Sequence, residues 1–174
     1  MQPQGWSATA GADGHRLQQR VSKRLLPFHQ STGHVGLNVS DLDRSVAFYT
    51  DVLDLDVLER HDDRARRYAY LGVDGSLLLT LWQQASGGFD ATLAGLHHLA
   101  FLVSDLEAVN GVQSRVVESG GTLVHDRVVA HDEGASSGGV FFLDPDGTRL
   151  EVYTASGLDG TAAASGDGPS CGFF

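Results

Sequence analysis

The chain repeats itself. His34-Val35-Gly36-Leu37-Asn38-Val39-Ser40-Asp41-Leu42 aligns without a gap to His98-Leu99-Ala100-Phe101-Leu102-Val103-Ser104-Asp105-Leu106, 64 residues further on. Each copy opens with a short apolar run suited to a strand and closes it with Ser-Asp, a pair suited to capping a helix. Helical spacing follows both times. Leu42, Val46, Tyr49 and Leu53 share one face in the first copy; Leu106, Val109, Val112 and Val116 do so in the second. Strands come next. Residues 68–73 and 76–82 flank Asp74-Gly75, a strong hairpin signal. In the second copy Val140-Phe141-Phe142-Leu143 leads into Asp144-Pro145-Asp146-Gly147, where Pro presets one turn dihedral and Gly accepts positive φ. Residues 149–153 return as the last strand. Each copy therefore predicts β-α-β-β-β.

The predicted fold class is α+β: two βαβββ modules forming curved mixed sheets around a metal-binding cleft. The modules span residues 34–83 and 96–154, joined by a linker over 84–95, in a domain covering 34–154. Residues 1–33 form an N-terminal extension in which Leu17, Val21, Leu25 and Leu26 predict a short amphipathic helix over 15–28. Residues 155–174 are predicted as a flexible tail ending in Cys171-Gly172-Phe173-Phe174.

Glu151 carries the chemical question. It stands in the last strand between Leu150 and Val152, where a carboxylate is costly to bury without a partner. The repeat supplies partners. His34 and His98 are equivalent positions, expected to face each other across a cleft between the modules. Side chains alternate along a strand, so only one of His97 and His98 can point inward, and the repeat selects His98. Two imidazoles and one carboxylate from separate strands make the 2-His-1-carboxylate set that holds Fe(II) or a similar divalent ion with positions left open. The expected metal ligands are His34, His98 and Glu151. Fe(II) is the expected ion, with Mn(II), Zn(II) and Ni(II) as alternatives.

The segments HVGLNVSDLDRSVAFYTDVL, HHLAFLV and FFLDPDGTRLEVY resemble the vicinal oxygen chelate superfamily, which includes glyoxalase I, fosfomycin-resistance thiol transferases, bleomycin-binding proteins and type I extradiol dioxygenases. The resemblance implies the same three metal ligands. It also exposes departures. Glyoxalase I has a fourth ligand on the last strand of the first module, where this chain has Leu79 or Thr80. The thiol transferases carry a Thr where this chain has Gly36. The wording around the ligands is closest to the extradiol enzymes, but their acid–base His falls on Gln83 or Gln84 and their active-site Tyr on Phe141. Their further His in a glycine-rich loop corresponds within one residue to His131, the candidate catalytic residue here. The glycines at 134–139 then suggest a lid over the cleft.

Composition narrows the partners. A formal net charge of −10 argues against nucleic acid. No apolar run suits a membrane span and no signal-peptide core opens the chain. One cysteine excludes an internal disulfide and fits a reducing cytoplasm. Arg64, Arg66, Arg67 and Arg127 could guide an anionic substrate, although Asp62 and Asp63 beside them point to an exposed charged loop. The expected protein is a cytoplasmic homodimer acting on a small molecule. Three functions stay open: an extradiol-type dioxygenase on a catechol-like substrate; a glyoxalase- or thiol-transferase-type enzyme in which the metal is only a Lewis acid; and a non-catalytic module that sequesters an aromatic metabolite.

Overall fold

The computed structural model describes residues 32–164. The 15–28 helix and the Cys171–Phe174 terminus lie outside the described residues. Two sheets form. In the first module β1 (Val35–Val39) leads to α1 (Leu42–Leu53), then β2 (Asp56–Asp63), β3 (Arg66–Val73) and β4 (Ser76–Gln83), ordered β1-β4-β3-β2. In the second, β5 (Leu99–Leu102) leads to α2 (Leu106–Glu118), β6 (Thr122–Leu123), β7 (Val129–Ala130), β8 (Gly138–Leu143) and β9 (Arg149–Thr154). Their order is β5-β9-β8-β6, with β7 also paired to β8. The first strand of each module lies parallel to its last, β1 on β4 and β5 on β9, and the remaining pairs are antiparallel. This is the α+β pair of βαβββ modules with mixed sheets that the repeat predicts, with one difference. The strand that is a single eight-residue β2 in module one is split into β6 and β7 in module two.

The local signals act as expected. Asp41 accepts a hydrogen bond from the Arg44 amide at 3.0 Å and Asp105 one from the Ala108 amide at 2.9 Å, capping the two helices. Asp74 and Gly75 take positive φ, 50° and 75°, as a tight hairpin requires.

Packing decides what the two modules share. Leu37, Val39, Ala69, Leu71, Leu79 and Leu81 of the first sheet join Val140, Phe142, Leu150 and Val152 of the second in one apolar cluster, with both helices inside it. Helix α1 buries Ser45, Phe48 and Val52 besides Leu42, Val46 and Tyr49. That stripe is wider than its own sheet demands, because the helix also touches module two. Phe48 meets the Phe142 ring with centroids 6.3 Å apart, and the Val52 carbonyl accepts a hydrogen bond from Arg115 of α2 at 2.8 Å.

The Asp144–Gly147 turn is locked onto α1 as well. The Tyr49 hydroxyl donates to Asp144 Oδ2 at 2.9 Å, while the amides of Asp146 and Thr148 donate to Asp144 Oδ1 at 2.9 and 2.7 Å. Arg44 pairs with Asp146 at 2.7 Å. Residues 155–164, the start of the segment expected as a tail, are held against the second module. Leu158 is buried and its amide donates to the Ser136 carbonyl, and Ala163 bridges to Ala130.

With both helices in a common core, each sheet has one face inward and one face outward. Because strand side chains alternate, the outer face of the β1–β4 sheet carries Gly36, Asn38, Tyr68, Tyr70, Thr80 and Trp82. That of the β5–β9 sheet carries Ala100, Phe141, Glu151 and Tyr153.

Candidate metal centre

Glu151 is 5% exposed on the outer face of the second sheet, opposite Ala100 of β5 and Phe141 of β8 in register. Two imidazoles reach it. His98 precedes β5 and has the parity of Ala100, so it stands over the same face; its Nε2 is 3.4 Å from Glu151 Oε2. His131 Nε2 lies 2.7 Å from Glu151 Oε1, and its Nδ1 lies 3.1 Å from the Ser137 hydroxyl. The carboxylate thus has an imidazole at each oxygen, which answers the cost of burying it. The hydrogen bond to Glu151 is the largest influence on His131 and raises its pKa above the ordinary 6.5, against the opposing effect of burial.

His97 is exposed. Its Nδ1 lies 2.9 Å from that of His98, and Arg149 reaches its Nε2 at 3.4 Å. Of the histidine pair, it is His98 that meets Glu151.

His34 is not brought to this group. It is exposed, ahead of β1, on the first sheet's side of the shared core. Among the described residues no three His, Cys, Asp or Glu side chains converge as a complete metal-binding group. The cleft expected between the two modules of one chain is therefore not formed by the described residues. The inner faces of both sheets and both helices share one apolar cluster, which leaves His34 and Glu151 on the sides of their sheets away from that core.

The other expected positions resolve by parity. Leu79 is fully buried in the core, whereas Thr80 is on the outer face, where its hydroxyl accepts from Trp82 Nε1 at 3.1 Å. A Cβ added at Gly36 would meet the Thr80 hydroxyl at 3.3 Å, so the two positions are neighbours. Gln83 is engaged elsewhere: its side-chain oxygen accepts from the Leu42 amide and from Arg67, both at 2.9 Å. Phe141 is 1% exposed and has no hydroxyl to offer.

The glycine run is not a loose lid. Gly138 and Gly139 lie within β8, where an added Cβ would come 2.3 Å from the carbonyl of Val129 or Val152. The short connection before them is closed by the His131 amide donating to the Ser137 carbonyl, which sets His131 over Glu151. Arg67 is occupied by Asp43 and Asp62, and Arg60 by the same two carboxylates. These arginines hold the Asp62 carboxyl down at about 2.

One residue of the site carried no sequence signal. His125, in the connection that splits β6 from β7, meets the Phe141 ring edge-to-face at 6.0 Å, while His131 meets the same ring at 6.5 Å. A histidine in an irregular loop has no periodicity to mark it.

The model of the Glyoxalase/Bleomycin resistance protein/Dioxygenase superfamily matches residues 31–152, most of the chain. The chain belongs to that superfamily. Members similar to it differ in chemistry. A catechol-2,3-dioxygenase from Bacillus subtilis is 28% identical over 134 residues, 74% of this chain; the chain spans only 44% of that relative's length. A lactoylglutathione lyase from Haemophilus influenzae is 34% identical over 134 residues, 72% of this chain and 96% of the relative. Among solved structures, a superfamily domain from Frankia sp. EAN1pec matches with a TM-score of 0.62 and 27% identity, covering 72% of this chain and 91% of that one. Membership accounts for the βαβββ duplication and leaves the reaction open.

The residues fit a divalent ion. Glu151 is a buried carboxylate on an open face, and imidazole is the accompanying donor. The His98–Glu151 separation of 3.4 Å is long for a hydrogen bond but natural for two atoms each about 2.1 Å from one ion.

Proposed function

We propose that the chain is a divalent-metal-dependent superfamily enzyme of the extradiol-dioxygenase type, acting on a small substrate through two vicinal oxygens. The observation that carries this is the buried Glu151 carboxylate flanked by His98 and His131 on an open sheet face. His98 and Glu151 hold the metal from one copy, and His34 completes the set from a second copy. The arrangement calls for a two-fold dimer that would lay the outer face of the first sheet of each copy over that of the second sheet of the other and make two equivalent sites. We place this homodimer in the cytoplasm.

Fe(II) suits the donor set, with Mn(II), Zn(II) and Ni(II) as alternatives. A bound divalent ion, held by His98, Glu151 and His34, would supply Lewis-acid chemistry toward the vicinal oxygens and, if iron, redox chemistry. The protein's own part is proton handling and orientation. His131 donates from Nε2 to Glu151 Oε1, which fixes the carboxylate and sets an imidazole beside the reacting atoms. Phe141, its cross-strand neighbour on the same face, shields Glu151 from water on the β8 side.

A second reading has a specific observation in its favour. Phe141, and Gln83 or Gln84, stand where extradiol enzymes have a Tyr and a His, which suits Lewis-acid chemistry of the glyoxalase or thiol-transferase kind, or plain binding of an aromatic metabolite.

Metal analysis of protein purified without chelators, followed by oxygen uptake over a catechol panel, separates these readings. Copy exchange has its own test. The His34→Ala and Glu151→Ala proteins should each lack metal. Co-expressed, they should regain about a quarter of the parent's metal, because random pairing makes half the dimers mixed and each mixed dimer keeps one of two sites. No recovery, or a monomer by light scattering, would overturn the copy exchange.

A further inference from the structure

The outer face of the first sheet carries a block of aromatic rings that the metal-centre reading does not use. Tyr68 lies 5.0 Å from Trp82 and 5.1 Å from Tyr70, and Tyr70 lies 6.4 Å from Trp82. His61 stacks on the far side of Tyr68 at 5.3 Å and 18°. Tyr68, Tyr70 and Trp82 are each only half-buried, so the block has a surface to offer. It is also fixed in place. Trp82 Nε1 donates to Thr80 at 3.1 Å and the Tyr68 hydroxyl donates to Glu59 at 2.8 Å. Rings held in this way add contact area with little ordering left to do on binding.

Register puts the block beside His34. Trp82 pairs with Asn38 and Tyr68, and Thr80 with Gly36 and Tyr70; Leu79 pairs with Val35, the residue after His34. From His34 to Tyr68 the face therefore reads Leu78, Gly36, Thr80, Tyr70, Asn38 and Trp82, with no Lys or Arg. The nearest basic groups are at the far edge, His61 stacked on Tyr68 and Arg66 beyond it on β3, so between His34 and Tyr68 a dianionic phosphonate or a charged peptide thiol would find no counter-charge. A neutral planar ring would find π-faces and ring edges at stacking distance.

We propose that Tyr68, Tyr70 and Trp82 form the wall that selects a planar, uncharged aromatic substrate. This rests on the copy-exchanged metal centre, since that arrangement lays the wall over the partner's Glu151 face. The ring lies against the wall and its vicinal oxygens point toward the ligand set.

The test uses catechol as the probe and Trp82 as the reporter. Trp6→Phe leaves Trp82 the sole tryptophan. In that background catechol should quench the emission saturably. Tyr68→Ala and Tyr70→Ala should each weaken catechol binding by about two- to tenfold, the range of a single aromatic pair. Tyr70→Phe should restore most of the loss, and metal content should stay at the parent level. If Tyr68→Ala, Tyr70→Ala and Trp82→Ala (the last followed by equilibrium dialysis) fold and keep metal yet bind catechol as the parent does, the wall is overturned. A dimer whose Trp82 emission ignores catechol overturns it too. If the protein holds no metal but catechol still quenches and the Ala variants still weaken it, the wall stands and the metal reading falls.

Discussion

Removing the Asp144 carboxylate should cost far more stability than removing its charge. Asp144 is 5% exposed and accepts three hydrogen bonds: the Tyr49 hydroxyl ties the β8–β9 turn to α1, and the amides of Asp146 and Thr148 brace the turn itself. Asp144→Ala leaves all three donors without their acceptor. Tyr49 is fully buried and Thr148 nearly so, and an unsatisfied buried donor costs about 1–3 kcal/mol. The expected loss is about 3–5 kcal/mol, the size seen when one member of a buried polar set is deleted.

Asp144→Asn keeps an oxygen for both amides and offers the Tyr49 hydroxyl a donor instead of an acceptor, so its cost should stay near ~1 kcal/mol. Urea unfolding followed by circular dichroism reads the difference. With a urea slope of roughly 2 kcal/mol/M, the Ala midpoint should fall by about 2 M and the Asn midpoint by about 0.5 M. The Tyr49→Phe, Asp144→Ala cycle should give a coupling of about 1.5–3 kcal/mol, that of a hydrogen bond to a charged group.

The pH dependence has a definite sign. Burial pushes the Asp144 carboxyl above its ordinary 3.8, against the hydrogen bonds that lower it. The folded state therefore holds the proton more tightly than the unfolded state. Ionisation costs stability in full above the folded pKa, and that cost is relieved as pH falls through it toward 3.8. Asn does not titrate, so the parent should gain on Asp144→Asn as pH is lowered across that window. Equal midpoints for the Ala and Asn variants, or a parent that loses ground to Asn on acidification, would refute the reasoning.

Two further predictions concern the metal centre. His98→Ala should abolish metal retention by elemental analysis, while His97→Ala should leave it intact; equal loss in both would mean that the repeat has misplaced the ligand. His131→Gln should lower turnover about 10²-fold or more, the contribution of a positioned acid–base group, with metal content unchanged. Metal loss in that variant would make His131 a ligand instead.

The repeat determined most of the fold. The hydrophobic spacing of the two copies, their Ser-Asp caps and the Asp-Gly and Asp-Pro-Asp-Gly turns are local signals, and each formed the element it predicts. Glu151 was legible because a carboxylate in an apolar strand demands a partner, and His98 does reach it; strand alternation does not set His97 apart, since both histidines precede β5 and their Nδ1 atoms lie 2.9 Å from each other. His131 was legible only through resemblance, since nothing in HDEGASSGG marks which side chain folds over the sheet.

The relation between the modules was not legible. Each module's apolar face can be covered in more than one way, and periodicity says which residues are buried but not against what. Phe48, Val52 and Arg115 decided it by drawing both helices into one core. That choice left His34 and Glu151 on the sides of their sheets away from that core, a consequence of pairing between residues distant in sequence. For the same reason Leu79 and Thr80 were indistinguishable as neighbours in a run of strand residues. Only the pairing of β4 between β1 and β3 put Leu79 in the core and Thr80 on the open face beside Trp82.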